Sequence, residues 1–325
     1  MRHWSGGWLF NLISILITFQ KNKRFAFTIV DDTDLATVEN VSPVYECLKQ
    51  SGLRTTKTVW TIAPSEPVQI GGDTLDNPNY LDFVLKLKDQ GFEIASHGAT
   101  SHGVVRAENL RALELFRQRI GVYPSLHCNH YTNCDGLYWG QARLSGLTHR
   151  TIYKLANHGK QRRFEGHMPS SPFFWGDLAQ KHIRYVRDFV FDEINLLNAP
   201  GNVLYYDPER AYVNGWFTST RAPDLKSFIR ALADANQRRL EQEGGVCILY
   251  THFGSGFVTN GVIHPEAKRL IQQLGARPGW FVPASELLDY LNNQGCHRPI
   301  SSRDRAKMER NWLLNKLVNR IPYGN

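Results

Sequence analysis

The sequence predicts an α/β protein with a mostly parallel sheet, and two observations carry this prediction. Short apolar stretches alternate with helical patterns along the chain, which is the order expected of repeated βα units. The first stretch, which begins at Phe25, has six mostly apolar residues and then three carboxylates within four positions. Its residues Phe27, Ile29 and Val30 are typical of a strand covered on both faces, as parallel strands are.

The three carboxylates that follow this strand are Asp31, Asp32 and Asp34. Neighbouring residues of a strand point to opposite faces, so Asp31 and Asp32 can share a site only where the strand ends and the chain turns. This places them at the carboxyl edge of the sheet, where α/β sheets and barrels bind their ligands. The alternative is a polar turn in which Asp34 caps the next helix.

Composition sets wide limits on domain number, partners and compartment. The 325 residues are 42% hydrophobic and 12% aromatic, which allows one large domain or two modest ones. A net charge of +8 favours anionic partners such as acidic glycans or phosphate-bearing lipids. Because the charge is spread along the chain, nucleic acid is the least favoured partner. The odd number of cysteines, with Cys47 and Cys247 in apolar patterns, favours reduced thiols and a cytoplasmic location.

An apolar stretch from Trp8 to Phe19 is too short for the ~20 residues of a membrane-spanning helix. Lys21, Lys23 and Arg24 follow this stretch, and no small-residue cleavage site comes after it, which argues against a signal peptide. A narrow polar stripe predicts an amphipathic helix within residues 1–24, either packed on the protein or lying in a membrane interface.

Further strands and helices continue the alternation after the first strand. The patterns predict helices over Asp34–Ser51, Pro78–Gln90, Ala107–Ile120 and Pro223–Glu241, and strands over Thr55–Ile62, Phe92–Ser96 and Val246–Thr251. The strand that ends at Ser96 leads into His97 and His102. Together with Asp32, these imidazoles would form a nitrogen and oxygen site suited to zinc or a similar divalent ion. The alternative is a pair of solvated loop histidines.

Three motifs, in this order, resemble those of the NodB-like polysaccharide deacetylases, carbohydrate esterase family 4. They are the pair Asp31 and Asp32, the stretch Glu93–His97 before a His-Gly loop, and the late stretch Ile248–His252. The resemblance covers roughly Phe25 to Leu291 and implies an irregular (β/α) barrel with mostly parallel strands. Gly279–Pro283 and the helix that follows it are similar to the last strand and helix of that barrel.

The resemblance also implies a reaction, the removal of an N-acetyl group from an amino sugar in a glycan, a nucleotide sugar or a lipid-linked sugar. A divalent ion, expected to be Zn²⁺, would polarise the acetyl carbonyl and its bound water. The matching residues would act as general base (Asp31), metal ligands (Asp32, His97, His102) and general acid (His252), with Asp188 orienting the acid.

Two other functions stay open. Four residues separate His97 from His102 where the family has three, and Val122 and Tyr123 stand before Pro124 where the family has an Arg. These departures leave room for a barrel that binds glycans without turning them over. In addition, the stretch from Asp32 to Asp34 resembles the haloacid-dehalogenase phosphatase motif, in which the first Asp is a nucleophile and the second an acid. That motif gives the histidines no role.

Residues 126–134 form a loop rich in His, Cys and Asn, whose spacings match no common zinc finger. We interpret this loop as part of the substrate site. Asn129 and His130 are its candidate sugar contacts, and the aromatic rings of Tyr123 and Trp175 are further candidates because they suit the apolar faces of sugar rings.

The last residues differ in character from the rest of the chain. Residues 296–325 combine a basic face with an apolar stripe that includes Met308 and Trp312, which predicts a basic amphipathic C-terminal helix. Such a helix would dock on the barrel, on a partner or on an anionic membrane. The chain is therefore divided into a segment 1–24, a deacetylase-like barrel 25–295 and a segment 296–325, with peripheral contact at the inner face of a membrane as one expectation.

Overall fold

The computed structural model describes residue 19, residues 22–156 and residues 163–319. The amphipathic helix predicted within residues 1–24 therefore lies almost entirely outside the described residues. Within them, Phe25 opens the first strand, as the apolar pattern predicts.

Seven parallel strands close into a barrel. The strands of the described chain are β1 (Phe25–Asp31), β2 (Thr56–Val59), β3 (Glu93–Ser96), β4 (Leu126–His127), β5 (Tyr185–Phe191), β6 (Leu204–Tyr206), β7 (Gly215–Arg221), β8 (Val246–Thr251), β9 (Val258–Thr259), β10 (Val262–Ile263), β11 (Gly279–Phe281) and β12 (Arg298–Pro299). The ring runs β1, β2, β3, β4, β5, β7 and β8, and β8 pairs with β1 to close it. The predicted irregular (β/α) barrel is confirmed, and its irregularity includes β4, which has only two residues.

The remaining strands lie outside this ring. β11 pairs in parallel with β1, β6 pairs antiparallel with β7, and β12 pairs with β6. β9 and β10 form a separate hairpin. All strands of the ring run the same way, so their carboxyl ends meet at one rim.

Helices follow most of the strands and cover the barrel. They are α1 (Val38–Gln50), α2 (Pro78–Asp89), α3 (Arg106–Ile120), α4 (Leu147–Ala156), α5 (Gly176–His182), α6 (Leu225–Ala231), α7 (Asp234–Glu243), α8 (Pro265–Gly275), α9 (Ala284–Asn293) and α10 (Ser302–Asn319), with short 3₁₀ segments at Gly140–Arg143 and Leu196–Asn198. The helix predicted from Asp34 begins later, because Thr37 and Asn40 form a capping box. The helix predicted over Pro223–Glu241 is two helices, α6 and α7.

The side chains of β1 alternate between two hydrophobic clusters. Phe25, Phe27 and Ile29 pack with residues of α1 and α8, whereas Ala26 and Val30 pack in a second cluster with residues of β8 and β5. All seven residues of β1 are buried. Because the period of a strand is two, Asp31 continues the face that points toward the helices, and Asp32 continues the opposite face, that of Ala26 and Val30.

The C-terminal helix α10 docks on the barrel. Its residues Met308 and Trp312 are buried, and the Trp312 ring stacks on Tyr153 of α4 with 5.8 Å between centroids. Glu309 is fully buried and accepts hydrogen bonds from the backbone N–H and hydroxyl of Ser145, at 2.8 and 2.7 Å. Of the alternatives for this helix, the structure thus shows docking of its apolar stripe on the barrel. Among the described residues, no helix has the length and apolar character needed to span a membrane.

Trp312→Ala should lower the free energy of unfolding by about 3–5 kcal/mol, because it opens a cavity between α10, α4 and β5. Leu314→Ala is the matched control on the same helix. Its side chain is 51% exposed, so the expected change is within about 0.5 kcal/mol. Urea unfolding followed by circular dichroism measures both variants. Equal, small effects would show that α10 contributes little to the stability of the barrel.

Candidate active site and metal centre

Asp31 is an internal anchor. Its Oδ2 accepts hydrogen bonds from the Tyr45 hydroxyl at 2.8 Å and lies 2.9 Å from Lys57 Nζ, and its Oδ1 accepts from the backbone N–H of Phe253 at 2.8 Å. Both charged side chains of the pair are completely buried. Burial lowers the pKa of Lys57, but the adjacent Asp31 charge outweighs this and raises it, so the ammonium persists. The structure therefore places the predicted general base outside the pocket, on the helix side of β1.

Asp32 points into the barrel and forms an ion pair with Arg187 of β5. The two guanidinium nitrogens of Arg187 each contact one carboxylate oxygen, one of them at 3.0 Å, in a bidentate arrangement. Asp32 is 2% exposed and Arg187 3%. Burial raises the pKa of Asp32, but the Arg187 charge outweighs this and holds that pKa below its usual value. Asp32 is thus a fixed, ionised carboxylate at the rim.

Asp34 reaches the same rim through a tight turn. Leu35 adopts the left-handed region with φ of 59°, and its N–H donates to the carbonyl of Gly71 at 2.7 Å. Two glycines let other loops approach this turn. A Cβ on Gly72 would lie 2.9 Å from the Thr33 carbonyl oxygen, and one on Gly254 would lie 2.6 Å from the Leu35 carbonyl carbon. The turn is therefore clamped on two sides, which fixes the Asp34 carboxylate.

Three imidazoles surround that carboxylate. Nε2 of His97 lies 3.1 Å from Oδ1 of Asp34, and Nε2 of His252 and of His130 lie 3.4 and 3.6 Å from Oδ2. Burial raises the pKa of Asp34, but nearby imidazoles, led by the charge of His252, outweigh this and hold it well below its usual value. Because nitrogen and oxygen ligand atoms converge here, the cluster has the chemistry of a divalent cation site.

Asp34, His97 and His130 each direct one ligand atom so that all three atoms lie within 4.8 Å of one another. Oδ1 of Asp34, both ring nitrogens of His97 and Nε2 of His130 are buried without a hydrogen-bond partner among the described residues. Buried polar atoms almost always have a hydrogen-bond partner, so buried nitrogen and oxygen atoms that face one another without such a partner are the donor set expected of a metal site. The residues present fit a divalent cation.

The surroundings of the two histidines fix their orientation. Nδ1 of His130 contacts Oδ1 of Asn133 at 3.0 Å and the Thr132 hydroxyl at 2.7 Å, which leaves Nε2 facing Asp34. Nδ1 of His97 lies 3.8 Å from Oδ1 of Asp32, on the opposite side of the ring from Asp34. Such partners behind a ligating imidazole are a regular feature of metal sites, where they set the ring orientation.

His252, which follows β8, stands beside this group. Its Nδ1–H donates to the carbonyl of Pro223 at 2.6 Å, so Nε2 is the atom that faces the pocket, where it also lies 3.3 Å from the Tyr250 hydroxyl. Burial lowers the pKa of His252, but the charge of Asp34 outweighs this and raises it to about 9. The ring is thus held by a backbone carbonyl at the position that the sequence motif predicts.

Asp188, the predicted partner of His252, lies elsewhere. It pairs with Arg143 at 3.1 Å and with Arg210 at 3.7 Å, and it accepts a hydrogen bond from the Tyr205 hydroxyl. It follows Arg187 in β5, so it points to the opposite face of the strand. The orienting contact of His252 is the Pro223 carbonyl instead.

The pocket at the rim is formed by residues from five strand ends and loops. It is open to solvent and encloses about 310 Å³ of space between its side chains, solvent-filled space included. Its lining residues are Asp32, Asp34, His97, Asn129, His130, Tyr131, Trp139, Arg187, Val190, Tyr250 and His252. The structure thus gathers Asp32, His97, Asn129, His130 and His252 of the predicted residues, together with Asp34.

Three other predicted residues lie away from this pocket. His102 faces Ser65, with Nε2 3.3 Å from its backbone nitrogen, and is not in the cluster of Asp34, His97 and His130. Tyr123 precedes β4 and stacks on His182, which places it toward the amino end of the strands and away from the rim. Trp175 is buried against His127 and donates its indole N–H to the Asp135 carbonyl at 2.7 Å. Asn129, although it lines the pocket, bonds to the backbone of Leu137.

Sequence reasoning did not predict the ion pair of Arg187 with Asp32, nor the position of Asp34 and His130 beside His97. Arg187 carries a usable signal, since an Arg inside the apolar strand Tyr185–Phe191 needs a buried anion. The signal for Asp34 is the Gly71-Gly72 pair, which allows a loop to approach the turn, but only the structure shows the two in contact.

Comparisons with known proteins support the fold. No protein-family model matches the chain, and no curated protein matches it in sequence. Solved structures match in fold at low identity. One is a protein assigned as a polysaccharide deacetylase from Mycobacterium smegmatis, with 12% identity and a TM-score of 0.50 over 88% of this chain and 96% of that one.

Two further solved structures are similar. A protein assigned as a polysaccharide deacetylase from Pseudomonas aeruginosa PAO1 has 14% identity and a TM-score of 0.46 over 84% of this chain and 92% of that one. The PuuE allantoinase has 12% identity and a TM-score of 0.48 over 85% and 92%. The match to the Mycobacterium structure supports the class of fold that the motif resemblance implied.

Asp31→Ala should lower the free energy of unfolding by about 3–5 kcal/mol, because it leaves the Lys57 ammonium buried without its partner. The matched control is Asp192→Ala, which removes an ion pair with Arg221. Because the Asp192 carboxylate is 40% exposed, this variant should lower the free energy of unfolding by less than about 1 kcal/mol. Urea unfolding at neutral pH compares the two. If the two costs are equal, the structural role assigned to Asp31 is incorrect.

Proposed function

We propose that this protein is a metal-dependent hydrolase that removes an N-acetyl group from an amino sugar. One observation carries this proposal. Buried ligand atoms of Asp34, His97 and His130 that have no hydrogen-bond partner among the described residues meet at one rim. The ion-paired carboxylate of Asp32 and the imidazole of His252 lie at the same rim. The barrel fold and the motif resemblance support it.

The proposed ligands are Asp34, His97 and His130, in place of the set Asp32, His97 and His102 expected from the sequence. Two imidazoles and one carboxylate leave room for water or substrate at a tetrahedral ion, which is the arrangement of catalytic zinc sites, and we therefore propose Zn²⁺. When bound, the ion would polarise the acetyl carbonyl and lower the pKa of a water molecule beside it.

Asp32 is the proposed general base. Arg187 occupies one lone-pair direction on each of its two oxygens, and a carboxylate has about four such directions, so Asp32 can still accept a proton from attacking water. The bidentate contact holds the carboxylate in one orientation at the edge of the pocket. Asp31, the base expected from the sequence, has no comparable access.

His252 is the proposed general acid. The Pro223 carbonyl fixes the proton on Nδ1, and Nε2 faces the pocket from the end of β8. A proton delivered from Nε2 to the amide nitrogen would let the amine leave, since an unprotonated amine is a poor leaving group. Asp32 and His252 enter the pocket from different strands, so they can serve different atoms of the substrate.

Aromatic side chains suit the pocket to a sugar. Tyr131, Trp139 and Tyr250 line it, and ring faces of this kind pack on the apolar CH faces of pyranoses. The substrate classes that we propose are those expected from the sequence, a glycan, a nucleotide sugar or a lipid-linked sugar. The phosphatase alternative is disfavoured because it gives no role to His97, His130 and His252, whose rings surround Asp34.

Removing any proposed ligand should abolish metal binding. After incubation with Zn²⁺ and desalting, the wild-type protein should retain about one ion per chain, and Asp34→Ala, His97→Ala and His130→Ala should each retain almost none. His102→Ala and His127→Ala are matched controls that should bind like the wild type. Elemental analysis of the purified proteins measures the content. Loss of the ion from His102→Ala, with retention in His130→Ala, would restore the ligand set expected from the sequence.

Asp32→Asn should lower kcat for acetate release by about 10²–10⁴-fold while metal content stays unchanged, because the variant cannot accept the proton. The probe is a soluble N-acetylglucosamine oligosaccharide, with released acetate measured enzymatically. Asp192→Asn, an exposed carboxylate outside the pocket, is the control and should retain wild-type activity. A wild-type protein that holds its metal but releases no acetate from any N-acetylated sugar would favour the glycan-binding alternative.

A further inference from the structure

Helices α4 and α10 carry an unusual share of the exposed apolar surface. The described part of the chain has twelve large hydrophobic side chains that are exposed, and five of them lie on these two helices. Leu147 and Leu155 on α4 are 82% and 72% exposed, and Leu314 and Leu317 on α10 are 51% and 48% exposed. The fifth is Ile152. Leu147 and Leu155 are eight residues apart, so they lie on one face of α4.

The two helices pack side by side, so that these residues belong to one region of the surface. Glu309 of α10 bonds to Nδ1 of His149 on α4 at 2.6 Å. One turn later in each helix, Trp312 of α10 stacks on Tyr153 of α4. Residue numbers rise along both helices from the first contact to the second, so α4 and α10 run roughly parallel. Their buried sides face each other and the barrel, and their remaining sides face solvent.

Basic residues accompany the exposed leucines. Arg303, Lys307 and Arg310 are exposed on α10, at the spacing of one helix face, and Lys154 is exposed on α4. The sequence of α4 contains no carboxylate. On α10, Glu309 is fully buried and Asp304 bonds to the hydroxyl of Ser301 at the start of the helix. The outward side of the helix pair is therefore both aliphatic and positively charged.

We propose that the outward side of α4 and α10 is a docking surface for an anionic phospholipid bilayer. Aliphatic side chains among cations on a helix face are the composition of interfacial helices, which insert leucines at the headgroup boundary and attract acidic lipids. A second copy of this chain fits poorly, because a symmetric contact would set like charges against one another. Nucleic acid would gain nothing from the leucines, which offer no stacking face.

This proposal differs from the expectation drawn from the sequence. There, the amphipathic C-terminal helix was expected to dock on the barrel, on a partner or on an anionic membrane. In the structure its apolar stripe, with Met308 and Trp312, is buried on the barrel, so the opposite face of the same helix is the one that would meet lipid. The inference does not depend on the proposed activity, because binding to vesicles requires neither metal nor substrate.

Sedimentation with lipid vesicles tests the proposal on the full chain. Wild-type protein is mixed with vesicles of phosphatidylcholine alone or of phosphatidylcholine and phosphatidylglycerol, at low and at high salt. We expect binding to the anionic vesicles only, weakened by salt, because the cations act through a screened surface potential.

Two pairs of variants separate the two components. Lys307→Gln/Arg310→Gln should weaken binding to anionic vesicles by at least about tenfold, since each cation near the surface contributes about a fivefold change. Leu314→Ser/Leu317→Ser should weaken it at both salt concentrations. The matched controls are Lys226→Gln/Lys268→Gln, two exposed lysines on the packed helices α6 and α8, and Leu110→Ser, which is 43% exposed on α3. The controls should bind like the wild type.

All of the changed side chains are exposed, so unchanged thermal unfolding midpoints should confirm that each variant folds. Equal binding to neutral and anionic vesicles would overturn the proposal. So would variants of α10 that bind as tightly as the controls. A change in molecular mass of the α10 variants by sedimentation equilibrium, with vesicle binding unaltered, would assign the surface to a second copy of the chain.

Discussion

The geometry of the rim depends on a buried ion pair at the end of β1. Lys57 from β2 and Asp31 from β1 meet in the layer between barrel and helices, 2.9 Å apart and completely shielded from water. Removing one partner of such a pair typically costs 3–5 kcal/mol, because the other charge is left uncompensated. The pair therefore holds the Asp31 side chain on the helix side of β1. Because side chains of a strand alternate between its two faces, Asp32 then points into the barrel. A shift of the β1 register by one residue would exchange the positions of Asp31 and Asp32, and both would lose their ion-pair partners.

Three carboxylates that are almost adjacent in sequence thus occupy three different environments. Asp31 is neutralised by the Lys57 ammonium and accepts hydrogen bonds from the Tyr45 hydroxyl and the Phe253 N–H. Its oxygens are therefore not available to a substrate in the pocket. Asp32 faces a guanidinium that keeps it ionised and fixed. Asp34 faces imidazoles, with one oxygen left without a partner among the described residues. Differences in neighbours, and not in residue type, separate the roles, as they do wherever two carboxylates in one site act differently.

Much of the fold could be predicted from the sequence because it rests on local patterns. The apolar strand ending in acid, the alternation of strands and helices and the motif order identify the barrel and place Asp32, His97 and His252 near one another. The proposed ligand set could not be predicted in the same way. His102 and His130 are both in polar loops after strands, and only the turn of each loop decides which one faces Asp34. The spacing of four residues between His97 and His102 was a departure that the structure explains, since His102 turns away toward Ser65.

The same limit applies to Arg187 and Asp188, which sit next to each other in β5. Neighbouring strand residues face opposite sides, so one of them enters the pocket and the other enters a buried network with Arg143 and Arg210. Sequence reasoning chose Asp188 because an acid partner for His252 was expected, yet a strand can place only one of the two in the barrel. Asp188 still affects the pocket, through its ion-pair partner Arg143. Arg143 lies over the ring of Trp139, with 3.7 Å to the centroid, and Trp139 lines the pocket. Through this contact the buried charges behind β5 help to fix one wall of the site.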